Sequence, residues 1–94
     1  MFIVFVHYIR PLEELEAHLA DHRRFLDEQY AAGHFLASGP RVPRTGGIVL
    51  ARTATREELE LVLAADPFCT AGVAEYEILE FTPTKYRPEL GALL

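Results

Sequence analysis

One histidine and one aspartate stand at positions that two predicted helices need for their core faces. In the segment LADHRRFL (19–26), a helix places Leu19 and Leu26 on one side, and His22 falls between them. Helical residues advance by about 100° each, so His22 lies within the apolar stripe. Asp66 continues the apolar series of a second helix, and Pro67 follows it directly. Two ionisable side chains are therefore predicted to point inward from two helices.

A buried ionisable group is costly unless it is paired or hydrogen-bonded, so the economical explanation is that His22 and Asp66 meet. A carboxylate bound to one imidazole nitrogen fixes the tautomer, and the histidine can then act as general base or acid near neutral pH. Phe68 and Tyr8 are candidate apolar walls, a role that core packing explains equally well. Two other interpretations stay open, a core histidine without function and an aspartate that merely ends its helix.

The segment ASGP (37–40) supplies candidates for binding a substrate oxygen. The Ser38 hydroxyl and the backbone N–H of Gly39 or Arg41 can hold a developing oxyanion, since glycine lets the backbone approach a ligand closely. Pro40 completes the candidate binding segment. Arg41 and Arg44 are candidates for attracting an anionic substrate, although Arg44 also fits a solvated loop. Ser38 is outside any G-x-S-x-G motif, so a serine hydrolase has little support.

Metal binding is the alternative use of the histidines. His18 and His22 have the i, i+4 spacing that puts two imidazoles on one helix face, and His7 is a conceivable third ligand. The glutamate of a zincin motif is absent, and the single cysteine, Cys69, offers no thiolate pair. We therefore expect neither a metal nor a cofactor. Cys69 follows Asp-Pro-Phe in a turn without an evident activating base, and we expect it to be structural.

The helices and strands that must position these residues are predicted from the hydrophobic pattern and from the glycines and prolines that end helices and strands. Residues 2–9 are apolar at both odd-numbered and even-numbered positions, which indicates a strand with both faces covered. A helix is predicted from Pro11 to the glycine cap at Gly33, and a second over 53–66 with Thr55 and Glu58 spaced as a capping box. The first helix has a predicted core stripe of Leu12, Leu15, Leu19, Leu26 and Tyr30. Further strands are predicted at 34–39, 47–52 and 73–81, with a turn at 66–72.

The resulting order, β-α-β-β-α-β, predicts an α+β fold with a four-stranded antiparallel sheet and both helices on one face, the ferredoxin-like arrangement. One sheet face stays bare, and we expect it to meet a second sheet in a homodimer. Residues 1–94 are expected to form a single domain. The tail, 83–94, contains two prolines and ends in apolar residues, and we expect it to lie across a partner subunit.

Composition narrows the class of partner. The 94 residues include nine Lys and Arg against fourteen Asp and Glu, a net charge of −5, which argues against nucleic-acid and anionic-membrane partners. A single cysteine excludes an intramolecular disulfide and fits a reducing compartment. The first apolar run is too short for a membrane span and lacks the layout of a signal peptide. We therefore expect a cytoplasmic protein whose partner is a small molecule.

Three ordered motifs resemble the YCII-related (YciI-like) family. They are the helix histidine His22, the strand ending Ser38–Gly39–Pro40, and Asp66–Pro67–Phe68 followed by Gly72. The resemblance implies a dimeric α+β barrel fold and an active site built on the histidine and aspartate, with the serine close by. One member of the family removes chloride from a chlorinated hydroxyquinol, which is an elimination.

Residues and resemblance together predict a small cytoplasmic enzyme that works without a cofactor. It would perform an elimination or isomerisation on a small oxygenated metabolite. His22 would be the acid or base, Asp66 would orient it, and Ser38 with Gly39 would bind substrate oxygen. A non-catalytic ligand-binding or accessory dimer module is the alternative. A third possibility is a structural dimer in which the His–Asp pair is a buried polar staple.

Overall fold

Four antiparallel strands form one sheet, and the helices cover one of its faces. The computed structural model describes all 94 residues. In chain order the elements are β1 (Phe2–Tyr8), α1 (Leu12–Glu16), α2 (Leu19–Ala31), β2 (Phe35–Pro40), β3 (Gly46–Ala51), α3 (Arg56–Ala64), α4 (Pro67–Thr70), β4 (Ala74–Glu80) and a 3₁₀ helix (Pro88–Leu93). The strands lie side by side in the order β2-β3-β1-β4. The predicted ferredoxin-like α+β architecture is confirmed.

The core lies between the helices and one face of the sheet. Alternate residues of β1, namely Phe2, Val4 and Val6, are buried on this inner face. Their neighbours in β3 and β4 follow the same alternation, because antiparallel register places paired residues on one side. The helices contribute Leu15, Phe25, Leu59, Leu63 and Phe68 to the same cluster of buried side chains.

The first predicted helix is wrong in one respect, because it is two helices rather than one. The helix is interrupted between α1 and α2, where the N–H of His18 donates to the carbonyl of Leu15 at 2.9 Å. A bond over three residues marks a turn tighter than an α-helix. The buried face also differs from the predicted stripe, because Leu12 and Tyr30 are exposed and Phe25, absent from that stripe, is buried.

The predicted turn at 66–72 contains a fourth helix, α4, which is a single turn long. Pro67 occupies its first position, where the missing N–H costs nothing, and Asp66 is the N-cap. Asp66 was predicted to point inward as the end of the preceding helix, but α3 ends at Ala64. The inward direction is correct, and its cause is the cap of α4. One half of the predicted capping box of α3 is confirmed, with Thr55 Oγ1 accepting from the N–H of Glu58 at 3.1 Å, whereas the Glu58 carboxylate accepts from the N–H of Ala54 rather than of Thr55.

A β-bulge in β2 decides which way Ser38 faces. Phe35 pairs with Ala51 and Ala37 with Leu50, so Leu36 is an extra residue without a partner. Beyond the bulge Ser38 pairs with Val49, which is buried on the inner face. Uninterrupted alternation from Phe35 would have turned Ser38 outward, so the bulge brings the Ser-Gly-Pro segment to the helix side of the sheet.

The outer face of the sheet is uncovered within one chain; part of it is apolar, and His7, Glu75 and Glu77 also lie on it. The register aligns Ile3 with Leu50 and Leu79, and Phe5 with Ile48. Ile48 and Leu79 are exposed and the others are half-buried. No helix of the fold combines the length and apolar character that crossing a membrane requires.

Candidate active site

Asp66 is the centre of a hydrogen-bonded cluster beneath the helices. The residue is only 1% exposed. Its Oδ1 accepts from the backbone N–H of Phe68 at 2.9 Å, the capping bond of α4, and lies 2.8 Å from Nδ1 of His22. Its Oδ2 accepts from the Tyr76 hydroxyl. Two donors face the carboxyl group whatever the tautomer of His22, the Phe68 N–H at Oδ1 and the Tyr76 hydroxyl at Oδ2, and such donors stabilise a carboxylate.

His22 is held in one orientation by that carboxylate and by an aromatic ring. Because an ionised carboxylate only accepts, Nδ1 must carry the proton, and Nε2 of the neutral ring is then the unprotonated nitrogen. The imidazole stacks on Phe68, with ring centroids 3.9 Å apart and an angle of 5° between the planes. The side chain retains 14% of its exposure. His22 is therefore fixed in position and still accessible from one side.

Tyr76 is the member of the cluster that sequence reasoning did not assign to the site. It lies on β4 opposite Val6, on the inner face of the sheet. Tyr76 and Ile78 alternate with Glu75 and Glu77 in the sequence, so the signal for its direction is present. What the pattern did not contain was the partner of its hydroxyl, since nothing in sequence spacing connects Tyr76 to Asp66.

A cavity of about 380 Å³ lies between the helices and the inner face of the sheet. Every predicted site residue except Arg41 lines it: Tyr8, His22, Ser38, Gly39, Pro40, Asp66 and Phe68. Most of the remaining wall is apolar and includes Leu19, Leu26 and Phe35. Such a cavity, apolar with a few polar groups that converge on it, is typical of small-molecule sites.

Ser38 enters the cavity wall with a second hydroxyl beside it. Its Oγ lies 2.6 Å from the hydroxyl oxygen of Tyr30, which reaches it from α2. When Tyr30 donates to Ser38, the serine proton is free to point at a ligand oxygen. The bulge of β2 and the last turns of α2 thus position this hydroxyl together.

The arginines differ from the prediction. Arg41 does not line the cavity, and its backbone N–H donates to the carbonyl of Gly46 at 2.8 Å, which removes it as an oxyanion donor. The reason is that this N–H closes the β2–β3 loop. Arg44 of the same loop does line the cavity, as does Arg23 of α2, which the sequence analysis did not consider.

The histidines considered as metal ligands are dispersed. His7 pairs with Glu77 at 2.9 Å. His18 occupies the N-cap position of α2 without a capping hydrogen bond from its side chain, and it borders a separate cleft between α2 and α4. No three His, Cys, Asp or Glu side chains are grouped so that they could hold a metal ion. The arrangement around His22 is instead that of a histidine paired with a carboxylate.

One solved structure with this fold is the 5-chloro-2-hydroxyhydroquinone dehydrochlorinase TftG from Burkholderia phenoliruptrix AC1100, in complex with 2,5-dihydroxybenzoquinone. The superposition has a TM-score of 0.72 and covers 87% of this chain and 94% of the dehydrochlorinase. At 19% identity the similarity concerns the fold. No curated protein sequence matches the chain.

The sequence itself matches a family model, that of the YCII-related domain, over residues 1–82. The match includes every residue of the cavity described above and ends before the tail. The resemblance inferred from the three motifs is thereby confirmed, and this chain belongs to the family of YCII-related domains.

Proposed function

We propose that this protein is a small enzyme that catalyses an elimination or isomerisation by acid–base chemistry without a cofactor. The observation that carries the proposal is the 2.8 Å contact between His22 Nδ1 and Asp66, in a cavity large enough for a small oxygenated metabolite. Nε2 is then the one basic nitrogen available to a ligand. The dehydrochlorinase with the same fold, whose name denotes an elimination, supports this class of reaction.

The proposed reaction begins with a proton transfer from the substrate to His22. Nε2 removes a proton from a carbon or hydroxyl of the substrate, and the negative Asp66 stabilises the imidazolium that forms. In an elimination, the electron pair left behind forms a new double bond while the leaving group departs as an anion. In an isomerisation, the imidazolium returns the proton to another atom of the substrate. Ser38, bonded to Tyr30, donates to the substrate oxygen on which negative charge develops.

Phe68, Tyr8, Gly39 and Pro40 are proposed as substrate-binding residues. Phe68 has a second role, because its ring holds the imidazole and its backbone N–H holds the carboxylate. Tyr8 packs edge-on against Phe68, with ring centroids 6.2 Å apart. Gly39 and Pro40 form the wall beside Ser38. These four contacts would orient an oxygenated ring toward His22.

We also propose that the protein is a cytoplasmic homodimer formed through the outer sheet face. Ile3, Phe5, Ile48, Leu50 and Leu79 form a continuous apolar surface there, which is the kind of surface that a two-fold interface buries. The tail folds back toward its own chain, since Arg52 donates to the Leu93 carbonyl at 3.3 Å. This contact brings Leu93 near the end of β3, and we propose that residues 83–94 meet the partner subunit.

The proposed reaction is tested by turnover of halogenated hydroxyquinols, hydroquinones and lactones, followed by halide release and by ultraviolet absorbance. Wild-type protein is expected to convert at least one of them. His22→Gln and Asp66→Asn are each expected to lower kcat by roughly 10²–10⁴-fold, because the general base or its orienting group is lost.

His34→Gln is the matched control, because His34 also faces a carboxylate, Glu58 at 3.4 Å, and lies outside the cavity. It should leave kcat unchanged. A His22→Gln variant with wild-type kcat contradicts the proposed role of His22. Ligand binding without turnover of any substrate favours the non-catalytic binding module.

A further inference from the structure

Two arginines open onto the cavity without a carboxylate to neutralise them. Arg23 and Arg44 both line it, and neither forms an ion pair within the chain. The neighbouring Arg24 does pair, with Asp21 at 3.5 Å. Seven of the nine basic residues of the chain form no ion pair, so the absence of a partner is not special to these two. What distinguishes Arg23 and Arg44 is that both line one cavity.

The cavity itself supplies no counter-charge. Its only acidic lining residue is Asp66, and both oxygens of that carboxylate already accept hydrogen bonds from His22, Phe68 and Tyr76. Low-dielectric walls concentrate the field of charges at a cleft. A small anion is the species that this field attracts.

Arg44 is supported by a closed loop. The Arg41 N–H donates to the Gly46 carbonyl and the Thr45 N–H to the Pro43 carbonyl, both at 2.8 Å. Gly46 lies so close to β1 that a Cβ there would be 2.0 Å from the Val6 carbonyl oxygen. These backbone contacts fix the loop on the sheet, with Arg44 rather than Arg41 at the cavity.

We infer that the ligand of this cavity is a small carboxylate held by Arg23 and Arg44. That this carboxylate is the substrate of an enzyme rests on the proposed function. The planar guanidinium group matches a carboxylate with two parallel hydrogen bonds. Arg23 and His22 line the same cavity, so a carboxylate held by Arg23 shares that cavity with the proposed base. The 380 Å³ volume and apolar walls suit the remainder of a one-ring acid.

Matched pairs of acids and amides test this inference by calorimetric titration. The probes are benzoate with benzamide, and 2,5-dihydroxybenzoate with 2,5-dihydroxybenzamide. At least one acid is expected to bind roughly tenfold more tightly than its amide, because only the acid forms charge-assisted bonds. Arg23→Gln and Arg44→Gln should each weaken binding of that acid by roughly tenfold while leaving the amide unaffected. Arg24→Gln, the control, should change neither affinity.

The inference is overturned if no acid binds more tightly than its amide, or if both arginine variants bind the acid as the wild type does. His22→Gln separates the two proposals, and it should retain the preference for the acid. Acid-selective binding by a protein with no turnover contradicts only the proposed reaction. Turnover of neutral substrates that depends on His22 and is unaffected in Arg23→Gln and Arg44→Gln contradicts only the carboxylate assignment.

Discussion

At the scale of single residues, the site depends on how completely one carboxylate is surrounded by donors. Asp66 accepts from a helix backbone, an imidazole and a phenol, which come from α4, α2 and β4. Burial of a carboxylate is tolerated when each oxygen has such partners. The same bonds fix the tautomer of His22. The cost of burying Asp66 and the orientation of His22 are thus explained by one set of contacts.

Tyr76→Phe tests this description through stability. The variant leaves Oδ2 of a buried carboxylate without its donor, and we expect the free energy of unfolding to fall by about 1–3 kcal/mol. Urea denaturation followed by circular dichroism measures the change. Tyr86→Phe is the control, because Tyr86 is half exposed, and its effect should stay within about 0.5 kcal/mol. Equal stability of the two variants would show that the Tyr76 hydroxyl does not stabilise Asp66.

At the scale of elements, the sequence predicted the strands closely because burial imposes a clear period of two residues. Each strand lies within one residue of its predicted bounds. The capping box and the proline at the first position of α4 are local signals that the sequence also contains. Inward burial of His22 was predictable, because it needs only helical spacing.

Other features of the site depend on contacts that hydrophobic patterning does not encode. The bulge at Leu36 is a deviation of strand pairing, and it alone turns Ser38 to the inner face. The tight turn at His18 divides the predicted helix, and packing against the sheet buries Phe25 rather than Tyr30. Arg41 was assigned to the ligand on sequence proximity to Ser38, whereas loop closure consumes its N–H and leaves Arg44 at the cavity. These features depend on tertiary contacts, which a single sequence does not reveal.

At the scale of the whole molecule, each face of the sheet has a different proposed use. The inner face carries the core and the cavity, and the outer face carries apolar residues that one chain leaves uncovered. The net charge of −5 coexists with unpaired arginines at the cavity. An acidic molecule with one locally positive cleft fits a small anionic ligand better than a nucleic acid.

The proposed dimer predicts a mass of twice 10.6 kDa by light scattering coupled to size-exclusion chromatography. Phe5→Glu combined with Leu79→Glu is expected to give monomers, because dimer formation would bury two unpaired carboxylates of each subunit in the interface. Leu61→Glu is the control, since Leu61 is 75% exposed on α3, away from this face, and it should remain dimeric. A wild-type monomer contradicts the proposed interface.

The central claim is that Asp66 holds the proton of His22 on Nδ1 and leaves Nε2 open to the cavity. Long-range ¹⁵N–¹H correlation spectra of histidine-labelled protein measure this directly, with the His22 signals assigned by their loss in His22→Gln. We predict that the neutral ring carries its proton on Nδ1, and that Asp66→Asn alters this signal. A neutral ring protonated on Nε2 in the wild type would contradict the claim.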